Sequence, residues 1–274
     1  MAQFFKLQRR GIPALKNYIK ANPIHCYDMH LALSDKSKVK TSATAYGYGT
    51  GDQLTGLAIF QSNGSLSCHF SDAGVFQKVD FLKALKEHKP TIVKADTAII
   101  QRMVNMLART MVWYEVEDCQ LMQVKQTDPN QVKHVPGIIL MDGNAIDSAD
   151  VVPFMVEVEK AFGRAHLTVN QMKEKLDQTP AYLFAYDGDQ VVGQAVIEHQ
   201  TDQAAQLGGV YVKKAYRGKG IGTALSASLA ADQLQHVGEV NLLVVRDNVA
   251  AITSYEKIGF QPVGEISRLH LQLR

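Results

Sequence analysis

At residues 210–223 the chain passes from a β-branched run, Val210-Tyr211-Val212, through the basic connection Lys213-Lys214-Ala215-Tyr216-Arg217, into three alternating glycines, Gly218, Gly220 and Gly222. The glycines open an apolar-periodic segment that continues to about Gln235. Strand, glycine turn and helix in immediate succession commit this region to a layered α/β fold, in which the helix returns over a sheet. The same stretch carries chemistry. Glycine lets backbone N–H groups approach an oxyanion with no Cβ in the way, and the unpaired N–H groups and dipole of a helix's first turn supply a positive field. Arg217 and Lys219 add charge beside it. The pattern points to a diphosphate held mainly by main chain.

Spacing separates the loops that do this. A nucleoside-triphosphate loop needs G-x-x-x-x-G-K-[ST], and no Lys follows Gly222. A dinucleotide fingerprint needs G-x-G-x-x-G directly after its strand. Counted from Gly220, Leu225 takes the third position, although Asp247 partly imitates that motif's ribose-binding acid. The run Arg217-x-x-Gly220-x-Gly222, by contrast, resembles the [QR]-x-x-G-x-[GA] pyrophosphate loop of the GNAT acyltransferase superfamily. A second segment, with Asn248, Ala251, Tyr255, Gly259 and Phe260, resembles the superfamily's N-x-x-A-x-x-x-Y-x-x-x-G-F and follows an expected strand at 240–245. The resemblance covers about 150–273 by motif and the first 125 residues only by the order of elements.

The resemblance implies acetyl-CoA as co-substrate and direct transfer of its acetyl group to an amine of a small molecule, peptide or protein. Val210, Tyr211 and Val212 would lie on the strand that pairs with the pantetheine arm, where a backbone N–H can polarise the thioester carbonyl. Arg217, Gly218, Lys219, Gly220, Ile221, Gly222 and Thr223 would surround the pyrophosphate, and Asn248 would bond to the pantetheine or hold the splayed strand. Tyr255 would serve the leaving thiolate as general acid. The family's basic Glu, six residues before Val212, is replaced by Gln206, which accepts no proton. Glu198 on the preceding strand is the substitute base, with His199 on that strand's other face. The alternative is a non-catalytic acyl-CoA-binding sensor or interaction protein, which the loss at Gln206 favours and the presence of Tyr255 opposes.

With 274 residues and 46% hydrophobic side chains the chain can furnish two cores. Lys and Arg number 29 against 27 Asp and Glu, a formal net charge of +2, and the cations are scattered, so no nucleic-acid footprint emerges. Cys26, Cys68 and Cys119 lack paired spacing and read as small buried hydrophobes. No two histidines stand at metal-ligand spacing, so no metal is expected. With no apolar run long enough to span a bilayer and no leader pattern, a cytoplasmic protein without a membrane partner is expected.

Along the front half, a helix at 12–21 is followed by strands at 27–33, 42–49, 55–61 and 65–70, a helix at 75–87 capped by Ser71-Asp72, a strand at 91–94, a helix from Asp96 to about 109 and a strand at 111–124. The back half repeats the order: helices at 153–162 and 169–176, strands at 181–186, 190–199 and 206–212, helix 221–235, strand 240–245, helix 249–258 and a closing strand or hairpin through Leu273. The expectation is a mixed-sheet α/β protein of two tandem GNAT-like domains: 1–124, a degenerate copy with an acceptor-binding or regulatory role; 125–136, a linker marked by Asp128-Pro129-Asn130; and 137–274, the acetyltransferase domain. Because Ser71-Asp72-Ala73-Gly74 stands where the second copy has Arg217 to Gly222, one CoA is expected per chain.

Overall fold

The computed structural model describes residues 2–8, 11–22, 25–26, 29, 43–50, 53–127, 134–163 and 167–274. The expected strand at 27–33 lies outside them except for Met29, and the expected linker lies partly outside them. The chain divides into two compact units. Among the described residues no helix is long and apolar enough to cross a membrane.

Unit 1 contains β1 (Gln3–Lys6), α1 (Ile12–Ala21), β2 (Ala43–Thr50), β3 (Gln53–Gln61), β4 (Ser65–Phe70), α2 (Val79–His88), β5 (Ile92–Ala95), α3 (Thr97–Leu107) and most of β6 (Met111–Val124). Its strands β1 to β4 pair antiparallel in sequence order, and β4 and β5 run parallel. The Asn63-Gly64 hairpin forms as its residues require: Gly64 takes φ +82°, and Asn63 Oδ1 accepts from the Ser65 N–H at 3.0 Å. The core gathers Tyr48, Phe60, Leu66, Phe81, Val93, Ile100 and Met103. The helix expected at 75–87 is in fact two pieces. A 3-10 turn, Ala73–Gln77, is separated from α2 by Lys78 in extended conformation.

Unit 2 contains β7 (Ile138–Asp142), α4 (Ser148–Ala161), α5 (Val169–Gln178), β8 (Ala181–Asp187), β9 (Gln190–Gln200), β10 (Ala204–Val212), α6 (Ile221–Gln233), β11 (Glu239–Val245) and α7 (Val249–Ile258). The strands lie in the order β11-β10-β9-β8-β7, with β10 and β11 parallel and the rest antiparallel. Helix α4 begins at Ser148, earlier than the expected 153, because Asp147 Oδ1 caps the Ala149 N–H at 2.8 Å and Pro153 is accommodated inside the helix. The capping box of Thr168 and Gln171 starts α5. The core beneath α6 is built from Ile197, Leu207, Leu225, Leu242 and Phe260.

Among the described residues the two units repeat one order of elements, with α5 of unit 2 unmatched among those of unit 1. The closing segment is a single strand, β12 (Gln261–Leu273), and here the domain limits differ from 137–274: Val263–Arg274 belong to unit 1. There β12 pairs antiparallel with β5, Arg268 opposite Lys94, and buries Leu269 and Leu271 in the unit 1 core. Ser267 Oγ, fully buried, donates to Asp118 Oδ1 of β6 at 2.6 Å and lies 2.8 Å from Thr97 Oγ1. Unit 2 begins at Met122, within β6.

Candidate functional site

The site is built where β10 and β11 part. Their ladder consists of Ala204 with Glu239, Ala205 with Val240 and Gln206 with Asn241, and it stops there although the strands run on to Val212 and Val245. From Leu207 onward, the edge of β10 that faced β11 keeps its backbone polar groups outside that ladder. Such an edge pairs with any extended chain that offers amides.

Two irregularities against β9 shape this edge. Gln206 lies opposite His199 but Leu207 lies opposite Ile197, so Glu198 is the extra residue of a bulge. Its carboxylate is thrown across Gly208: a Cβ built there would fall 2.4 Å from the carboxylate carbon. The second irregularity lies between Gly208 and Tyr211, where Gly209 adopts φ +54° and its carbonyl accepts from Gln194 Nε2 at 3.2 Å. Gln194 Oε1 is buried without a protein partner. The sequence reading missed this residue. The adjacent glycines Gly208-Gly209 within a strand were the available signal of a bulge.

Beyond β10 the chain turns through a 3-10 segment, Lys214–Tyr216, into the glycine loop. Gly218 and Gly220 take φ +78° and +85°, and a Cβ on either would meet nothing within 4 Å. Gly220 is the N-cap of α6 and has no side chain with which to cap it, and the helix's first backbone bond runs from the Ala224 N–H to the Gly220 carbonyl at 2.9 Å. The N–H groups of Ile221, Gly222 and Thr223 therefore head the helix without an intrahelical acceptor. At Gly222 a Cβ would meet only Val212 and Val210 methyls at 3.7 and 3.9 Å. Protein packing gives no reason for glycine there, and close approach of a ligand does. Ile221 itself is buried and offers only its main chain.

The flanking cations are anchored. Arg217 Nε donates to the Val212 carbonyl at 3.0 Å, and its guanidinium stands 5.8 Å from the Tyr211 ring centre. Lys219 Nζ lies 4.9 Å from the ring centre of Tyr216, whose hydroxyl donates to Asp187. Val210 and Val212 pack toward α6, whereas Tyr211 turns to the α4 side, against Phe154, with its hydroxyl on Glu157 Oε1 at 3.3 Å. Of the Tyr211 groups, then, the backbone faces the site and the ring does not. Asn248 Oδ1 accepts from the Ala251 N–H at 3.2 Å, so it caps α7.

Tyr255 lies within electrostatic reach of Glu198. Half-buried on α7 and edge-on to Phe260 at 5.8 Å, the Tyr255 phenol is pushed up to about 12, first by burial and then by the negative charge of Glu198. Gln206 is buried in register with Asn241. In unit 1 the corresponding turn is filled by its own side chains. Asp72 Oδ1 accepts from the Gly74 N–H at 2.8 Å and Tyr48 donates to Asp72 Oδ2 at 3.1 Å, so an acid occupies the donor an anion would need.

Residues 151–260 match the family described as Acetyltransferase (GNAT) family. The chain is 38% identical over 80 residues to a mycothiol acetyltransferase of Corynebacterium efficiens, a match spanning 28% of this chain and 27% of that protein. A GCN5-related N-acetyltransferase of Sphaerobacter thermophilus superposes with a TM-score of 0.64 over 100% of this chain and 96% of its own, at 16% identity. A tandem GNAT protein from the clavulanic acid biosynthesis pathway gives 0.60 over 99% and 98%, at 13% identity. At these identities the likeness to the solved structures is one of fold, and it extends over both units.

Proposed function

From the match of residues 151–260 to the GNAT family we propose that the chain is a GNAT acetyltransferase whose second unit moves the acetyl group of acetyl-CoA onto an amine. The observation that carries the reading is the conjunction, at one strand end, of an open glycine cradle at the head of α6, an unpaired β10 edge, and the pair Glu198 and Tyr255. The N–H groups of Ile221, Gly222 and Thr223, with Gly218 and Gly220, suit the pyrophosphate, and the edge of β10 from Leu207 to Val212 suits the amides of the pantetheine arm. Acetyl-CoA supplies an activated acyl group in thioester linkage.

The chain's residues then have defined tasks. An alkylammonium has a pKa of about 10.4 and must lose a proton before it attacks. Glu198 is the acceptor for that proton, and its place over Gly208 sets it beside the β10 edge. As the amine nitrogen bonds to the acetyl carbon and the carbon–sulfur bond breaks, charge moves to sulfur. Tyr255 remains a neutral phenol at physiological pH. A thiol of pKa about 8.5 is the stronger acid, so Tyr255 acts chiefly by donating a hydrogen bond to the thiolate, with full protonation left to the proton released from the amine.

The test is release of free thiol from acetyl-CoA across a panel of small-molecule and peptide amines, with the acetylated product identified by mass. Turnover with some amine, lowered at least tenfold in Glu198→Gln at unchanged CoA affinity, is the expected result. Tight CoA binding with no turnover across the panel would favour the acyl-CoA sensor.

A further inference from the structure

Unit 1 assembles a group of side chains that acetyl transfer does not use. His25 Nδ1 lies 2.6 Å from Asp96 Oδ1, and His69 Nε2 lies 3.7 Å from Asp96 Oδ2. One donor atom from each residue falls within 4.8 Å of the others, and the two imidazoles are stacked, centres 4.7 Å apart and planes 9° from parallel. The three come from separate parts of unit 1: the stretch after α1, the end of β4 and the head of α3. Only the fold unites them, and for that reason short histidine spacing in the sequence did not reveal them.

Two features distinguish this group from an ordinary surface ion pair. Asp96 stands at the N-cap of α3, yet its side chain makes no capping bond to that helix. An N-cap Asp usually spends its carboxylate on those N–H groups, and this one turns both oxygens to imidazoles instead. His69 is buried, and its outer nitrogen Nδ1 is held by the Tyr18 hydroxyl at 2.7 Å. Fixing one ring nitrogen with an outer partner while the other points inward is how proteins orient an imidazole as a ligand. The 3.7 Å gap between Nε2 and Oδ2 is longer than a hydrogen bond, so this inward pair is not explained by direct contact.

We propose that His25, His69 and Asp96 bind a divalent first-row transition-metal ion. Two imidazole nitrogens and one carboxylate oxygen suit zinc and its neighbours and suit magnesium or calcium poorly, since those ions take oxygen donors. Bonds of 2.0–2.2 Å in a tetrahedron set donor atoms about 3.3 Å apart. His25 therefore moves away from Asp96 slightly as the widest pair closes. The His25 side chain, 49% exposed, has the freedom to do so and leaves the fourth position open to water. Ligation needs an ionised carboxylate and, on each histidine, a ring nitrogen that carries no proton. Cys26 and Cys68, each adjacent in the chain to one of the histidines, are buried and outside this donor set.

The test uses the full chain after dialysis against a chelator, with Zn2+ titrated calorimetrically and Co2+ followed by its visible absorption. One Zn2+ per chain at micromolar affinity or tighter is expected, with cobalt bands of a four- or five-coordinate site. His25→Ala should weaken binding at least about tenfold, since an orienting partner alone carries 10- to 100-fold. Asp96→Asn should do the same, and His236→Ala, an exposed histidine of unit 2, should change nothing. His25 is exposed enough that its variant keeps the fold, which near-ultraviolet circular dichroism verifies. Wild-type binding no tighter than millimolar, or equal affinity in folded His25→Ala, would overturn the proposal.

Discussion

At Gly222 a single methyl separates protein stability from ligand binding. The backbone there is ordinary helix, and the added Cβ meets only van der Waals contacts. Gly222→Ala should therefore keep or raise the melting temperature, because glycine within a helix costs roughly 0.5–1 kcal/mol relative to alanine. CoA affinity should nonetheless fall at least tenfold in calorimetry, because the methyl enters the cradle. Gly220→Ala should differ, since φ +85° strains an L residue and lowers the melting temperature as well. Tyr255→Phe should lower kcat between about 10- and 10⁴-fold with CoA affinity nearly unchanged. Burial raises the folded phenol above the unfolded value of 10.0 to about 12. Its contribution to stability is thus complete below pH 10 and is lost as pH rises from 10 toward 12. Urea midpoints across that window should fall less steeply in Tyr255→Phe, and parallel profiles would show that the phenol is not held as described.

Among the elements, the bulge at Glu198 carries the most function. Gly208→Ala sets a methyl against the Glu198 carboxylate, the far end of a flexible side chain, so the acid is displaced and the strand is kept. Turnover should drop toward that of Glu198→Gln while CoA affinity and melting temperature stay near wild type. Equal turnover would remove Glu198 from the reaction. The same contrast explains what was legible beforehand. Alternation and turn residues marked β3, β4 and β6 closely, and the glycine loop and the Asn248 to Phe260 segment announced α6 and α7. Glu198 was selectable as an acid near the strand end, but its approach to Gly208 comes from a one-residue register shift, which no period-2 pattern records. The strands β1 and β7, four and five residues long, carry too little alternation to stand out. Pro153 hid the true start of α4, and the capping of α7 by Asn248 Oδ1 was not anticipated.

At the scale of the molecule, the described residues form two units with one order of elements, and the two differ at the turn that matters. Asp72 fills in unit 1 what glycine leaves open in unit 2. The last strand returns the chain to unit 1, since Val263–Arg274 belong to that unit and bury Leu269 and Leu271 there. A fragment beginning at Pro136 strands those leucines without β5 and should be poorly soluble, measured by sedimentation after expression. A soluble, fully active fragment would show that unit 1 is dispensable. The central claim is that one glycine cradle, in unit 2, holds acetyl-CoA for transfer, and calorimetric titration of acetyl-CoA into the full chain and into Gly222→Val tests it most directly. The account predicts one molecule bound per chain and binding abolished in the variant, whereas a stoichiometry near two, or near-native affinity in Gly222→Val, would contradict it.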